Sequence, residues 1–166
     1  MKTIQTFRLT LRPFLRQDEA AAVALLRHRQ VMATYILPDL TEEEARALFS
    51  RFVKLSRAAD RFVRAVCLEN KLIGWLNDTG IEGDAIELGW VIHPDHWGKG
   101  YATEAVTAAI GQLRREGFGC VYAGAFRENA ASIRVMQKCG MHLLDKSEQL
   151  EYRGKFHDCV YYSITL

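Results

Sequence analysis

Long apolar runs are absent. Nothing in the 166 residues approaches membrane-spanning length, and the opening Met1-Lys2-Thr3-Ile4-Gln5-Thr6-Phe7-Arg8 has an early lysine without the apolar stretch of an export signal. No membrane partner is expected, and the cytoplasm is the predicted compartment. A basic block is also missing. The formal charge of +2 comes from 22 Lys and Arg interspersed with 20 Asp and Glu, so no stripe tracks a phosphate backbone and nucleic acid is not expected as a direct partner. Cysteines are few and far apart: Cys67, Cys120, Cys139 and Cys159 form no CxxC pair and no zinc-type spacing, and read as reduced, mostly buried thiols. His93 and His96 have too little support from carboxylates or cysteines to hold a metal, and read as turn residues. Repeats, low-complexity tracts and linkers are lacking too, which predicts a single domain over residues 1–166.

What is present is ordinary globular usage, 49% hydrophobic and 25% charged, enough to bury one sizeable core. Thr6-Phe7-Arg8-Leu9-Thr10-Leu11-Arg12 alternates polar and apolar, the period of a half-buried strand, and Pro13 ends it. Asp18 to Arg27 has acids in its first turn and Arg27 near its end, which suits a helix dipole. Tyr35-Ile36-Leu37-Pro38-Asp39 reads as a loop, in which Tyr35 could line an acceptor entrance or simply anchor the chain. Thr41-Glu42-Glu43-Glu44 offers a capping box to a helix with Ala45, Leu48, Phe49 and Phe52 at helical spacing. Arg61 to Leu68 and Leu72 to Leu76 form a hairpin about Glu69-Asn70-Lys71, and Gly80 to Asp84 is a turn.

Ala85 to Ile92 is almost continuously apolar, as an interior strand is, until His93-Pro94. A helix from Gly100 to Glu116, with the stripe Ala102, Val106, Ala109 and Leu113, leads to a second buried strand, Cys120 to Phe126, completing a βαβ unit. Asn129 to Cys139 is a shorter helix stopped by Gly140, and the tail divides at Arg153-Gly154-Lys155 into two antiparallel strands. The predicted class is α+β, an α/β/α sandwich on a mixed, mostly antiparallel sheet with one parallel βαβ element.

The chemistry concentrates after the interior strand. A tight turn with Gly98 and Gly100 runs straight into a helix, which aims unpaired amides at one point. The glycines let the backbone close on a phosphate, and Lys99 adds charge. An ordinary turn and helix start would explain the glycines without a ligand. A P-loop would require glycine at position 93 and Ser or Thr at position 100, where His93 and Gly100 stand. A dinucleotide fingerprint would require a third glycine where Thr103 stands. The acetyl-CoA pyrophosphate turn, Q/R-x-x-G-x-G/A, fits better. The run from Leu88 to Ala105, with Trp97-Gly98-Lys99-Gly100-Tyr101-Ala102 at its centre, resembles it. A second block, Asn129-Ala130-Ala131-Ser132-Ile133-Arg134-Val135-Met136-Gln137-Lys138-Cys139-Gly140-Met141, resembles N-x-x-S-x-x-V-x-x-K-x-G-F, with Met141 for the phenylalanine. With the Leu9-x-Leu11-Arg12-Pro13 opening and the Tyr152 to Asp158 ending, the chain resembles the GNAT superfamily of N-acetyltransferases over nearly its full length. Within it, the chain is similar to the Rim-type branch that acetylates N-terminal amines of ribosomal proteins.

The resemblance implies acetyl-CoA as co-substrate, bound between splayed strands, and no metal. Amides from Trp97 through Gly98, Lys99, Gly100 and Tyr101 to Ala102 would cradle the pyrophosphate. The strand at Trp90, Val91 and Ile92 would pair with the pantetheine amides, and Asn129 and Ser132 would approach from the next helix. Helix capping by Asn129 and a solvated Ser132 are the alternatives for that pair. The implied reaction is attack of a neutral amine on the thioester, which requires an oxyanion donor and a proton for the thiolate. The Val91 amide is the implied donor, Glu87 the candidate base, and Ser132 the candidate acid, since Met136 stands where many members carry a tyrosine. Glu87 could equally be a strand-end carboxylate paired with an arginine. An α-amine, with a pKa of about 8, is roughly a tenth neutral at cell pH, against about a thousandth for a lysine side chain at about 10.4. The resemblance to the Rim-type branch implies a protein N-terminus as the acceptor, an amine that needs little help from the site. Polyamines and aminoglycosides are the alternatives, as is a catalytically weak CoA-binding module. A sheet edge or the final hairpin could serve a homodimer.

Overall fold

The computed structural model describes residues 3–166. Eight strands form one sheet: β1 (Ile4–Gln5), β2 (Leu9–Arg12), β3 (Val63–Leu68), β4 (Lys71–Glu82), β5 (Ala85–Ile92), β6 (Cys120–Phe126), β7 (His142–Tyr152) and β8 (Lys155–Thr165). Their order is β1-β2-β3-β4-β5-β6-β8-β7, antiparallel throughout except for β5 and β6. That one parallel pair is joined by helix α4 (Tyr101–Arg115), which gives the predicted βαβ unit.

Successive side chains of a strand point to opposite faces, and each face here meets its own helices. On one face Ile86, Leu88, Ile92, Val121, Ala123 and Val160 pack with Ala105, Val106, Ala109 and Leu113 of α4 and with Met136 of α5 (Ala130–Lys138). On the other, Val63, Ala65, Trp75 and Val91 pack with Leu25 and Leu26 of α1 (Glu19–Leu26), Val31 and Met32 of α2 (Arg29–Met32), and Phe49 and Phe52 of α3 (Glu42–Leu55). Phe126, Tyr152, Cys159 and Tyr161 form a third cluster beyond β6. The result is the expected α/β/α arrangement.

Local chemistry places most of the boundaries. Thr41 Oγ1 accepts from the Glu44 amide at 3.2 Å and Glu44 Oε2 accepts from the Thr41 amide at 2.8 Å, so α3 starts with the capping box. Glu69 and Asn70 take φ of 48° and 66°, the two-residue hairpin geometry whose twist matches the strands. The expected turn at Gly80 to Asp84 shrinks to Gly83 and Asp84, because β4 runs on to Glu82 past a bulge: Asp78 pairs with Leu88 and Gly80 with Glu87, leaving Thr79 as the extra residue.

The strand expected from Thr6 begins only at Leu9. Thr6 Oγ1 accepts from the Leu9 amide at 2.8 Å, and this local bond turns the chain where a ladder would have kept it straight. Four-residue α2 lies in a segment too short for helical periodicity to show, and Val31 and Met32 alone anchor it. All four cysteines are free thiols; Cys67 and Cys159 are buried, while Cys120 and Cys139 are half-buried.

Candidate active site

β4 follows β5 to Ile92 and β8 follows β6 to Phe126, yet β5 and β6 pair only from Ala85 and Cys120 to Glu87 and Tyr122. Past that last pair the two strands part, so the sheet opens between Leu88–Ile92 and the end of β6. A parallel sheet interrupted in this way leaves one row of backbone donors and acceptors of β5 without a strand partner.

Three contacts settle which row. The His93 amide donates to Ile73 O of β4 at 2.7 Å, and a Cβ at Gly74 of β4 would meet Val91 O at 2.0 Å. Ile92 O is instead taken by the Trp97 indole N–H at 2.6 Å, away from β4. N–H and C=O of one strand residue share an edge and alternate along it, so Val91 is turned toward β4 while Leu88, Trp90 and Ile92 face the opening. The Val91 amide, expected as oxyanion donor, therefore points toward β4, and the Trp90 amide faces the opening.

The turn lies at the end of this open edge. Gly98 and Gly100 adopt φ of 71° and 81°, a left-handed region in which a Cβ is strained, and among the described residues no atom beyond its chain neighbours lies within 4 Å of where a Gly98 Cβ would be. Gly100 caps α4 without any side chain, and the first intrahelical acceptor bond there is Glu104 N–H to Gly100 O at 3.0 Å. Among the described residues the amides from Gly98 to Thr103 have no backbone acceptor outside the helix, an arrangement that suits an anion. Trp97 departs from expectation, because its amide already donates to Pro94 O at 3.0 Å. Lys99 Nζ reaches back to Asp95 O at 2.8 Å. His93 Nδ1 accepts from the Asp95 amide at 3.2 Å, and burial, then Lys99 and His93, hold the His96 imidazole below its ordinary pKa, so both histidines shape the turn.

Glu87 occupies the last parallel pair, at the vertex of the opening, on the face shared by Gly89 and Val91. A Cβ at Gly80 would lie 3.7 Å from Glu87 Oε2 and 3.6 Å from the Tyr122 hydroxyl, so acid and phenol converge over the bulge. Burial, then the charge of Glu87, raises the Tyr122 pKa. Two residues further along each strand come Gly89 and Gly124. The Tyr161 ring lies on Gly124, 2.7 Å from where its Cβ would be, and donates its hydroxyl to Glu148. Burial and that bond raise the Tyr161 pKa. Tyr35 closes the side toward α2: its hydroxyl donates to Asn77 Oδ1 at 3.1 Å and accepts from the Trp75 indole at 3.4 Å. The Tyr152 hydroxyl donates to Met32 O at 2.5 Å and lies within 3.3 and 3.0 Å of the carbonyls of Tyr35 and Leu37, so the Tyr35 loop is anchored there while the Tyr35 ring borders the site.

Across the opening, Asn129 Oδ1 accepts from the Ser132 amide at 3.2 Å and caps α5, and the Ser132 hydroxyl has no partner among the described residues. The structure thus sets Glu87, Trp90, Ile92 and the 97–102 turn along one side of the opening, and α5, capped by Asn129 and with Ser132 in its first turn, follows β6 on the other. Sequence reasoning missed Tyr122, Tyr161, Glu148 and Asn77. Strand alternation could have put Tyr122 on the face of Glu87 had the parallel register been known; nothing local points to Glu148.

These features fit acetyl-CoA: an unpaired strand edge for amide groups, and beyond it an open, glycine-lined turn with free amides for a diphosphate. Comparison with known proteins agrees. The acetyltransferase (GNAT) domain profile matches residues 8–142. The uncharacterized N-acetyltransferase YnaD of Bacillus subtilis is 33% identical over 142 residues, 83% of this chain and 81% of its own. The ribosomal L7/L12 α-N-protein acetyltransferase RimL, solved with coenzyme A, superposes with a TM-score of 0.88 at 20% identity, covering 99% of this chain and 98% of that one. Spermidine N-acetyltransferase of Vibrio cholerae, solved with CoA and spermine, gives 0.81 at 21% identity over 95% of each chain. With the open sheet, the glycine turn and a family match over most of its length, this chain belongs to the GNAT family of acetyltransferases.

Proposed function

We propose that this N-acetyltransferase acts on a protein or peptide N-terminal α-amine, with residues 1–166 as one catalytic domain. The observation that carries the reading is the parting of β5 and β6 immediately after Glu87 and Tyr122, which puts a carboxylate at the vertex of the cofactor opening. Acetyl-CoA, when bound, supplies the acetyl thioester. Amides from Gly98 to Ala102 hold its diphosphate, and the edge at Trp90 and at the amide of Ile92, a residue whose carbonyl Trp97 already occupies, orders the chain that follows. Glu87 receives the proton of the amine, directly or through one water, a modest demand for an α-amine that is already partly neutral. The Trp90 amide donates to the developing oxyanion, and the Ser132 hydroxyl donates to the departing sulfur.

RimL, whose fold this chain shares, acts on an N-terminal amine, and Gly89 and Gly124, lacking side chains, let Asn77, Thr79 and Tyr161 line the face beside Glu87. A second reading, a polyamine acceptor, draws on Glu87 and Glu148 facing that side and on the spermidine enzyme's similar fold. Release of free CoA thiol with a panel of N-terminal peptides, polyamines and aminoglycosides tests both. Turnover of peptides supports the first reading, and turnover of polyamines alone replaces it with the second. Acetyl-CoA binding without turnover of any acceptor would leave a CoA-binding module.

A further inference from the structure

Arg8 sits in the turn that joins the antiparallel strands β1 and β2, 91 residues before Lys99 and 96 before Glu104, yet its side chain bonds to both. Nη1 donates to Lys99 O at 2.9 Å, Nε donates to Glu104 Oε2 at 2.7 Å, and the guanidinium lies 4.4 Å from the centre of the Tyr101 ring. The Arg8 amide and Thr6 Oγ1 donate to the other Glu104 oxygen at 2.7 and 2.6 Å. We propose that Arg8 is a positioning residue for the cofactor turn, fixing the Lys99–Gly100 peptide and neutralising Glu104, and so sets the affinity for the diphosphate of CoA. The proposal rests on the reading of that turn as the diphosphate site.

Two physical effects combine. The peptide between Lys99 and Gly100 is trans and planar, so its C=O and N–H point in opposite directions. Anchoring the Lys99 carbonyl on Arg8 turns the Gly100 N–H away from Arg8, into the mouth of the turn. Gly100 has no side-chain cap and its own carbonyl is taken by the Glu104 amide, so among the described residues it is the bond from Arg8 that holds the Lys99 carbonyl side of this peptide. The second effect is charge. Glu104 sits in the first turn of α4, where an unpaired carboxylate would repel a bound diphosphate. Burial would raise its pKa, but the bonds from Thr6 and Arg8 outweigh burial and hold it below the ordinary carboxylate value, so it is ionised and needs Arg8 as its counter-charge. The chain turns between β1 and β2 at Thr6 to Arg8 and leaves Phe7 95% exposed, which brings Arg8 over the cofactor turn.

The test is calorimetric titration of CoA into wild type, Arg8→Ala, Arg8→Lys and the double variant Arg8→Ala/Glu104→Gln, with amide spectra of the ligand-free proteins. Loss of a charge-assisted bond together with exposure of Glu104 predicts CoA binding weakened about tenfold or more in Arg8→Ala. Arg8→Lys keeps the charge without the two-pronged geometry and is expected to fall between. The double variant is expected to bind CoA more tightly than Arg8→Ala, because the uncovered carboxylate is gone. The Gly100 amide resonance should move in ligand-free Arg8→Ala while those of the remote turn glycines Gly83 and Gly154 stay put. CoA affinity within twofold of wild type in Arg8→Ala overturns the proposal, as does weakened binding with neither a shifted Gly100 amide nor recovery in the double variant. If Arg8→Ala does not fold, wild-type affinity in Arg8→Lys overturns it and an intermediate loss supports it. Absence of CoA binding by the wild type would instead remove the reading of the turn itself.

Discussion

Arg12 and Asp18 show how much one residue can carry. Arg12 Nη1 and Nη2 donate to the two Asp18 oxygens at 2.7 and 2.8 Å, and Asp18 Oδ2 also accepts from the Leu15 amide at 2.8 Å. Asp18 is only 3% exposed, so removing its partner strands a charge in the interior. Arg12→Ala is expected to cost about 3 to 5 kcal/mol in a urea denaturation, whereas an isolated surface pair would cost well under about 1. The Arg12 side of this pair was visible in sequence only as the last polar residue of an alternating strand. Cys67 is equally constrained: burial pushes its thiol up to about 11, so iodoacetamide at neutral pH should label half-buried Cys120 well before Cys67. Equal labelling of all four would contradict the packing described.

At the scale of elements, the termini of helices did most to make the chain legible. The box at Thr41 and Glu44 was readable because it spans four residues and uses only their own side chains and amides. Thr41→Ala is expected to lower stability by about 1 kcal/mol, measured by chemical denaturation, without changing CoA affinity. The start of α4 was legible as a glycine turn, but not its support, since Thr6 and Arg8 reach Glu104 from the far end of the sequence. That support has a pH signature. Because the folded pKa of Glu104 is depressed, its contribution to stability is complete above the unfolded value of about 4.3 and is lost as pH falls through the folded value. The melting difference between wild type and Glu104→Gln should be full at neutral pH and shrink below about pH 4; a difference constant into acid would contradict the assignment. Where the sequence misled, at Thr6 to Arg8, the reason is physical: a period of two looks the same whether the backbone ladders or a threonine hydroxyl turns it.

In the proposed function the whole molecule divides its two ligands between an edge and a face. The cofactor would take backbone atoms along β5 and the turn, and the acceptor the side chains Glu87, Tyr122, Tyr161 and Asn77 on one face of the sheet. Kinetics should separate them. Gly98→Trp, which fills the open space at the turn, is expected to raise KM for acetyl-CoA, whereas Glu87→Gln should lower kcat by about 100-fold and leave CoA affinity unchanged. A loss of CoA affinity in Glu87→Gln would show that the vertex carboxylate belongs to the cofactor side.

By itself the sequence determined the βαβ unit, the glycine turn at Gly98 and Gly100 and the helix caps, because each depends on residues within a few positions of one another and on backbone geometry that glycine, proline and short polar side chains dictate locally; the class of cofactor came from the resemblance of that turn and of the Asn129 to Met141 block to the GNAT family. Only the tertiary structure decided that β5 and β6 part after Glu87, which edge of β5 faces the opening, and that Arg8 and Glu104 meet. Those outcomes depend on strand register and on contacts between distant segments. Register is set by how whole faces pack, and a one-residue change in it would turn Trp90 away from the opening and Val91 toward it.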